Sequence, residues 1–212
     1  IERDAGVKSQ ISNELYQKAG AKIVDEALKI LAEIDIIISV QRKEIDLLHI
    51  KKGAIFIAML NPYFQKNEID KLTNAGLSCF ALELVPRISR AQSMDVLSSQ
   101  SNLSGYVAVI EAVNAMQKCV PMMMTAAGTV AAAKFMILGA GVAGLQAIAT
   151  AKRLGGVVCA FDVRAAAKEQ VQSLGAKFIE VVANNSDAET KGGYAKEMDE
   201  EYKKRQEKLI FE

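Results

Sequence analysis

The sequence predicts an α/β fold in which short strands, buried on both faces, alternate with amphipathic helices. Two patterns carry that prediction. Apolar runs that do not alternate with polar residues recur along the chain, which marks strands of a parallel sheet covered on both sides. Segments with apolar residues at helical spacing lie between them, as strand–helix–strand units require. Composition agrees, since 212 residues, 50% hydrophobic and 24% charged, suffice for one or two folded domains.

Taken in order, residues 21–32 have helical spacing, with Ile23, Ala27, Leu28, Ile30 and Leu31 apolar. Residues 34–40 are a continuous, largely β-branched run, too short and too uniform for a surface helix. Residues 54–60 are a second run, closed by Asn61-Pro62. Residues 66–75 are helical, and residues 77–84 are a third run, closed by Pro86. A long helix over 103–118 leads to a second set, with strands at 135–138, 157–161 and 177–182 and helices at 142–154 and 164–174. The tail from Asp187 is polar, with a loop at Lys191-Gly192-Gly193-Tyr194 and a solvated, charge-laced helix over 195–209. Two sheets are expected, in domains spanning 1–97 and 98–212, joined by the long helix.

Charge and composition exclude several classes of function. The 26 lysines and arginines nearly cancel the 25 acidic residues, and a net charge of +1 argues against nucleic acid or anionic lipid as the main partner. Cys79, Cys119 and Cys159 form no CxxC, which suggests reduced thiols and neither a disulfide framework nor a zinc site. His49 is the only histidine, so mechanisms built on a His pair, a His–Cys pair or a His metal cluster are excluded. A lone histidine of this kind is expected on a helix face. The start, Ile1-Glu2-Arg3-Asp4, is charged and no apolar leader follows. The most apolar stretch, 121–151, is interrupted by Lys134 and by Gly128, Gly139, Gly141 and Gly144, so no membrane span is expected.

Gly139-Ala140-Gly141-Val142-Ala143-Gly144 is a GxGxxG, a weak signal alone. Its context supplies what the chemistry needs. A strand, Lys134 to Leu138, enters the first glycine, and a helix leaves the last. Gly139 permits the tight turn, Gly141 lets the backbone approach a pyrophosphate, and Gly144 lets the helix pack on the strand. The pyrophosphate then sits on free N–H groups at the helix N-terminus, including those of Val142 and Ala143. A second strand ends in Asp162, 18 residues past Gly144, where a carboxylate accepts both ribose hydroxyls and repels a 2′-phosphate. NAD(H) is favoured over NADP(H), although Arg164 nearby is of the type that accommodates a 2′-phosphate. The second sheet is therefore Rossmann-like. Only 73 residues follow Gly139, fewer than two βαβαβ halves need, so this domain is expected to be incomplete at its C-terminus.

The segment Pro86–Asn102 is rich in hydrogen-bonding side chains and follows the carboxyl end of a strand, where parallel sheets place ligands. A nicotinamide carboxamide needs a donor and an acceptor, which Arg87 with Asp95 supply, and Gln92 supplies either. The plainer reading is a helix N-cap region, with Ser98 or Ser101 capping the helix at Leu103, and composition alone favours it.

Glu83-Leu84-Val85-Pro86-Arg87-Ile88-Ser89-Arg90-Ala91-Gln92-Ser93-Met94-Asp95-Val96-Leu97-Ser98-Ser99-Gln100-Ser101-Asn102-Leu103 closely resembles the nicotinamide-contacting loop of the proton-translocating NAD(P) transhydrogenases. Pro121-Met122-Met123-Met124-Thr125-Ala126-Ala127-Gly128-Thr129, the helix from Gly144 to Gly155 and Asp162-Val163-Arg164 resemble the same family. Gly192-Gly193-Tyr194-Ala195-Lys196-Glu197-Met198 is similar to its mobile loop. The resemblance covers nearly the whole chain. It implies the NAD(H)-binding component, domain I of the alpha subunit, with two Rossmann-like domains. Such a component exchanges hydride with an NADP(H)-binding domain, coupled to proton movement through a separate membrane domain.

On the same resemblance, Arg87, Gln92, Asp95, Ser98 and Tyr106 serve the nicotinamide end, Asp162, Val163 and Arg164 hold the adenosine ribose, and Tyr194 closes over the cofactor. It also implies a homodimer, placed at the cytoplasmic face of a bacterial inner membrane or in an organellar matrix. Ala132 and Lys43 stand where the family is expected to have Pro, and neither replaces a proposed ligand. The family has a further strand–helix unit before the position of Ile1 and more chain after this one, so a fragment is expected. The nearest rival is alanine dehydrogenase, whose imine chemistry needs a proton-transfer group beside the hydride acceptor. That relative has a His where this chain has Asn61. Transfer between two nicotinamide rings needs only alignment and exclusion of water, which suits a chain with one histidine. A non-catalytic NAD-binding module is the remaining alternative.

Overall fold

The structure is a computed structural model and describes residues 1–41, 49–180 and 200–211. The chain divides into two compact units, residues 1–95 and 96–212.

In the first unit a short helix, α1 (Asn13–Lys18), is capped by Ser12, whose hydroxyl accepts the N–H of Leu15. Then come β1 (Ile36–Gln41), β2 (Ile55–Met59), α2 (Lys66–Asn74) and β3 (Ser78–Ala81). The three strands are parallel in the order β1-β2-β3, with Ile37 beside Phe56 and Phe56 beside Cys79. α2 buries Leu72 against Phe56, Ala58, Leu60 and Leu77, and Ile37 and Ile69 pack on the same cluster. Gly76 ends α2 at φ +79°, the left-handed position that favours glycine after a helix.

The second unit opens with the long helix α3 (Val96–Met116), followed by β4 (Met123–Thr125) and β5 (Gly128–Val130). Next are β6 (Lys134–Leu138), α4 (Val142–Arg153), β7 (Val157–Phe161), α5 (Ala167–Ser173), β8 (Lys177–Ile179) and α6 (Glu200–Phe211). β6, β7 and β8 form a parallel sheet in that order, Ile137 beside Ala160 and Ala160 beside Phe178. Its core is built from Ile148 and Ala151 of α4, Val158 and Ala160 of β7, Val171 of α5, and Val109 of α3. Small residues on α4 let helix and strand approach closely. The expected α/β architecture with Rossmann-like parallel sheets is observed.

Several local expectations are corrected. Residues 21–32 are not a helix: Val24 bridges Glu2, exchanging backbone hydrogen bonds with Ile1 and Arg3, and only a 3₁₀ turn, Ala27–Ile30, follows. Ile23 and Val24 are β-branched, and pairing with an extended neighbour outcompetes their weak helical preference. The long helix begins at Val96, earlier than residue 103, and Ser99 in its first turn directs its hydroxyl inward, Oγ donating to the Val96 carbonyl at 3.0 Å. Ser98 and Ser101 therefore lie inside α3 and cap nothing at residue 103. This helix packs into the core of the second unit. β4 and β5 make an unexpected antiparallel hairpin, turned at Ala126-Ala127, with Thr125 Oγ1 accepting the Ala127 N–H.

Neither sheet is covered as the unbroken apolar runs suggest. β1 exposes Ile36, Ile38 and Val40, and β6 exposes Met136 and Leu138, because their packed partners lie on the Ile37 and Ile137 side. His49 is exposed in a bend, not on a helix face. α6 is not fully solvated either, since Tyr202 is buried against Phe161, with Val163, Ile179 and Leu209 around them. Residues 195–199 of the expected tail helix lie outside the described residues, as does Lys43.

Candidate functional site

In the second unit the chain leaves β6 at Gly139, turns through φ +92° there, and enters α4. Gly139 donates its N–H to the Phe161 carbonyl at 2.8 Å, which ties the turn to the end of β7. Gly144 packs so closely on the turn that a Cβ there would stand 1.8 Å from the Gly139 carbonyl oxygen. Space above Gly141 is open, with nothing within 4 Å of a Cβ position. Gly141 is also the N-cap of α4 and has no side chain to offer the first turn. Leu145 is the first residue to donate back, to the Gly141 carbonyl at 2.8 Å. The N–H groups of Val142, Ala143 and Gly144 are thus left without intrahelical partners, at the positive end of the helix dipole. This is the arrangement a pyrophosphate requires.

Asp162 follows β7 and is buried. Its Oδ2 accepts the Ala140 N–H at 2.7 Å and Arg164 Nη2 at 3.0 Å; its Oδ1 accepts the Arg164 N–H at 2.8 Å and Arg164 Nε at 2.9 Å. Burial pushes its carboxyl up, but the Arg164 guanidinium and the two backbone N–H groups outweigh this and hold it below its ordinary value. A carboxylate has about four acceptor positions, and these contacts fill them. The sequence suggests a carboxylate open to both ribose hydroxyls. In the structure a ribose gains two of the positions only when the guanidinium of Arg164 gives them up. Tyr202 lies in the same corner, its hydroxyl pushed up by burial and by the charge of Asp162.

In the first unit Arg87 and Asp95 bracket a 3₁₀ helix, Ser89–Met94, that carries Gln92 on its exposed side. Arg87 Nε stands 3.9 Å from Asp95 Oδ2, an ion pair at the limit of contact, with Asp95 the less exposed partner. Just before them Glu83 Oε1 accepts the backbone N–H groups of Leu60 and Asn61, which ties the ends of β2 and β3 together. Ser98 is half-buried in the first turn of α3, and Tyr106, further along that helix, is 48% exposed. Val163 is half-buried beside Asp162. Tyr194 lies outside the described residues.

Three contributors escape the sequence. Ala140 is the x of a motif read for its glycines, yet its N–H is the one Asp162 holds. Glu83 opens the stretch that resembles the transhydrogenase loop, yet nothing in the sequence marks it as the residue that ties β2 to β3. Gly105, inside α3, has only the oddity of a glycine in a helix interior to draw attention to it.

Strand, glycine turn, uncapped helix and acidic strand end together define a dinucleotide-binding class of α/β domain. Family models describe the same chain as two consecutive domains: alanine dehydrogenase/PNT, N-terminal domain, over residues 1–104, and alanine dehydrogenase/PNT, C-terminal domain, over residues 108–208. The chain belongs to the alanine dehydrogenase/PNT family. It is 50% identical to an NAD(P) transhydrogenase alpha subunit chain of Rhodospirillum rubrum, over all of this chain and 57% of that one. The structure of transhydrogenase from Sinorhizobium meliloti superposes with a TM-score of 0.79 at 54% identity, covering 84% of this chain and 54% of that one. Alanine dehydrogenase of Mycolicibacterium smegmatis is more distant, 28% identical over 77% of this chain and 44% of its own length. The chain spans about half the length of the transhydrogenase relatives it matches.

Proposed function

We propose that this chain is the NAD(H)-binding component of a proton-translocating NAD(P) transhydrogenase, exchanging hydride with NADP(H) held by a partner domain. The observation that carries the proposal is the α4 N-terminus, uncapped beneath open space and anchored to Asp162 through Ala140. The similarity to transhydrogenase alpha subunits supports the choice of reaction.

Gly141, Val142, Ala143 and Gly144 present the backbone to the pyrophosphate. Asp162 takes the adenosine ribose hydroxyls together with Val163 and Arg164, whose guanidinium turns from the carboxylate to the sugar. Arg87 with Asp95 donates to and accepts from the nicotinamide carboxamide and Gln92 does either, Ser98 and Tyr106 serve the same end, and Tyr194 closes over the cofactor. NAD(H) supplies the hydride chemistry at C4 of its ring. The protein's task is alignment and exclusion of water, and none of these residues moves a proton. The chain has one histidine, and Asn61 holds the position where an alanine dehydrogenase has its imidazole, which argues against imine chemistry. The component is assigned to a homodimer, in a complex with the NADP(H)-binding domain and a membrane proton-channel domain, at the cytoplasmic face of a bacterial inner membrane or in an organellar matrix. No helix among the described residues is long and apolar enough to cross a membrane.

Equilibrium binding of NADH and NADPH tests the nucleotide assignment: NADH is expected to bind the more tightly, and equal affinities refute it. Mixing the chain with an NADP(H)-loaded partner domain and following label between the two nucleotides tests the reaction. Retained NADH binding with no exchange leaves a binding module without catalysis.

A further inference from the structure

Gly105 lies in the interior of α3, where glycine is less favourable than alanine. Its surroundings show why it is there. A Cβ at Gly105 would stand 2.1 Å from the carbonyl oxygen of Ala143, 2.9 Å from its carbonyl carbon and 3.0 Å from its Cα. All three are backbone atoms of the first turn of α4, so no side-chain rotation relieves the contact.

We infer that Gly105 is a positioning residue for the pyrophosphate site, acting through the Ala143–Gly144 peptide; the inference rests on the dinucleotide reading above. The Ala143 carbonyl and the Gly144 N–H belong to one rigid peptide plane. That N–H is one of the three left without an intrahelical partner. Displacing the carbonyl therefore tilts a donor that faces the phosphate. The plane has little room to retreat, because Gly144 already packs on the Gly139 carbonyl. At the other end of the turn the Ala140 N–H is held by Asp162. The segment from Ala140 to Gly144 is thus clamped twice, by a hydrogen bond from the strand side and by bare backbone contact from α3.

The test is G105A, measured with NADH and ADP-ribose, which carry the pyrophosphate, and with adenosine, which does not. Binding of the first two is expected to weaken about tenfold, the loss of one hydrogen bond to a charged group, while adenosine stays within about twofold. A general loosening of the fold lowers all three together, and that result overturns the inference, as does unchanged affinity for NADH. If G105A does not fold, the Gly144 amide resonance of the unaltered chain carries the test: it shifts on titration with NADH and ADP-ribose but not with adenosine, and a resonance that does not move overturns the inference. Unaltered chain that ignores NADH overturns both the dinucleotide reading and this inference; unaltered chain that binds NADH beside a G105A that binds it equally well overturns this inference alone.

Discussion

The carboxylate of Asp162 accepts the backbone N–H of Ala140 at 2.7 Å. The acid at the end of β7 therefore holds the glycine turn at the end of β6, which joins the proposed half-sites for the sugar and the phosphates. Asp162 has a structural task before any nucleotide arrives.

That task has a pH signature. The folded-state pKa of Asp162 is lowered, so its stabilising contribution is present in full above the unfolded value of about 4 and is lost as pH falls through the folded value. Thermal unfolding from about pH 2 to 7 is expected to show Asp162→Asn less stable than the parent near neutrality, with the gap closing in acid. Parallel curves over that range would sink the assignment.

Arg164→Ala empties two acceptor positions on Asp162 and removes the guanidinium paired with it. NADH affinity is expected to fall about tenfold, the loss of one charged partner at the ribose. Asp162→Ala should weaken NADH as well and narrow its preference over NADPH. Paired titrations with the two nucleotides decide it; NADH binding that holds or tightens in Arg164→Ala makes the guanidinium an obstacle and not a ligand.

Arg87 pairs with Asp95, Nε standing 3.9 Å from Oδ2. Arg87→Ala is expected to slow hydride transfer to a partner domain about 10- to 100-fold through misplacement of the ring. The accompanying loss in NADH affinity should be smaller, and single-turnover rates set beside equilibrium binding separate the two. A loss of binding that exceeds the loss of rate removes Arg87 from the nicotinamide end.

Phe56 is fully buried at the centre of the first unit's core. Phe56→Ala is expected to cost about 3–5 kcal/mol in chemical denaturation. A cost under about 1 kcal/mol means the β1-β2-β3 sheet does not pack on α2 as described.

Much of the fold is legible in the sequence because its signals are local. β2 and β7 are short, uniformly apolar runs bounded by turn residues, and they emerge within a residue or two of expectation. The start of α3 is not legible, because Ser98, Ser99 and Ser101 are of a type that caps helices, yet all three lie inside this one. Residues 21–32 mislead because their pairing partner is 22 residues from Val24, at Glu2. The bare faces of β1 and β6 are invisible for a related reason: an unbroken apolar run looks the same with one face covered or two.

The sequence by itself determined the parallel α/β layout and the presence of a glycine turn, a helix start and an acidic strand end, since each depends on residues adjacent in the chain. The tertiary structure alone decided what those residues do to one another. Only the pairing of β6 with β7 brings Ala140 to Asp162, only the fork of Arg164 fills that carboxylate's remaining acceptor positions, and only the packing of α3 on α4 sets Gly105 against the Ala143 backbone. The first and last of these contacts join residues distant in the chain, and the second depends on how a side chain folds back, so neither residue type nor spacing records them.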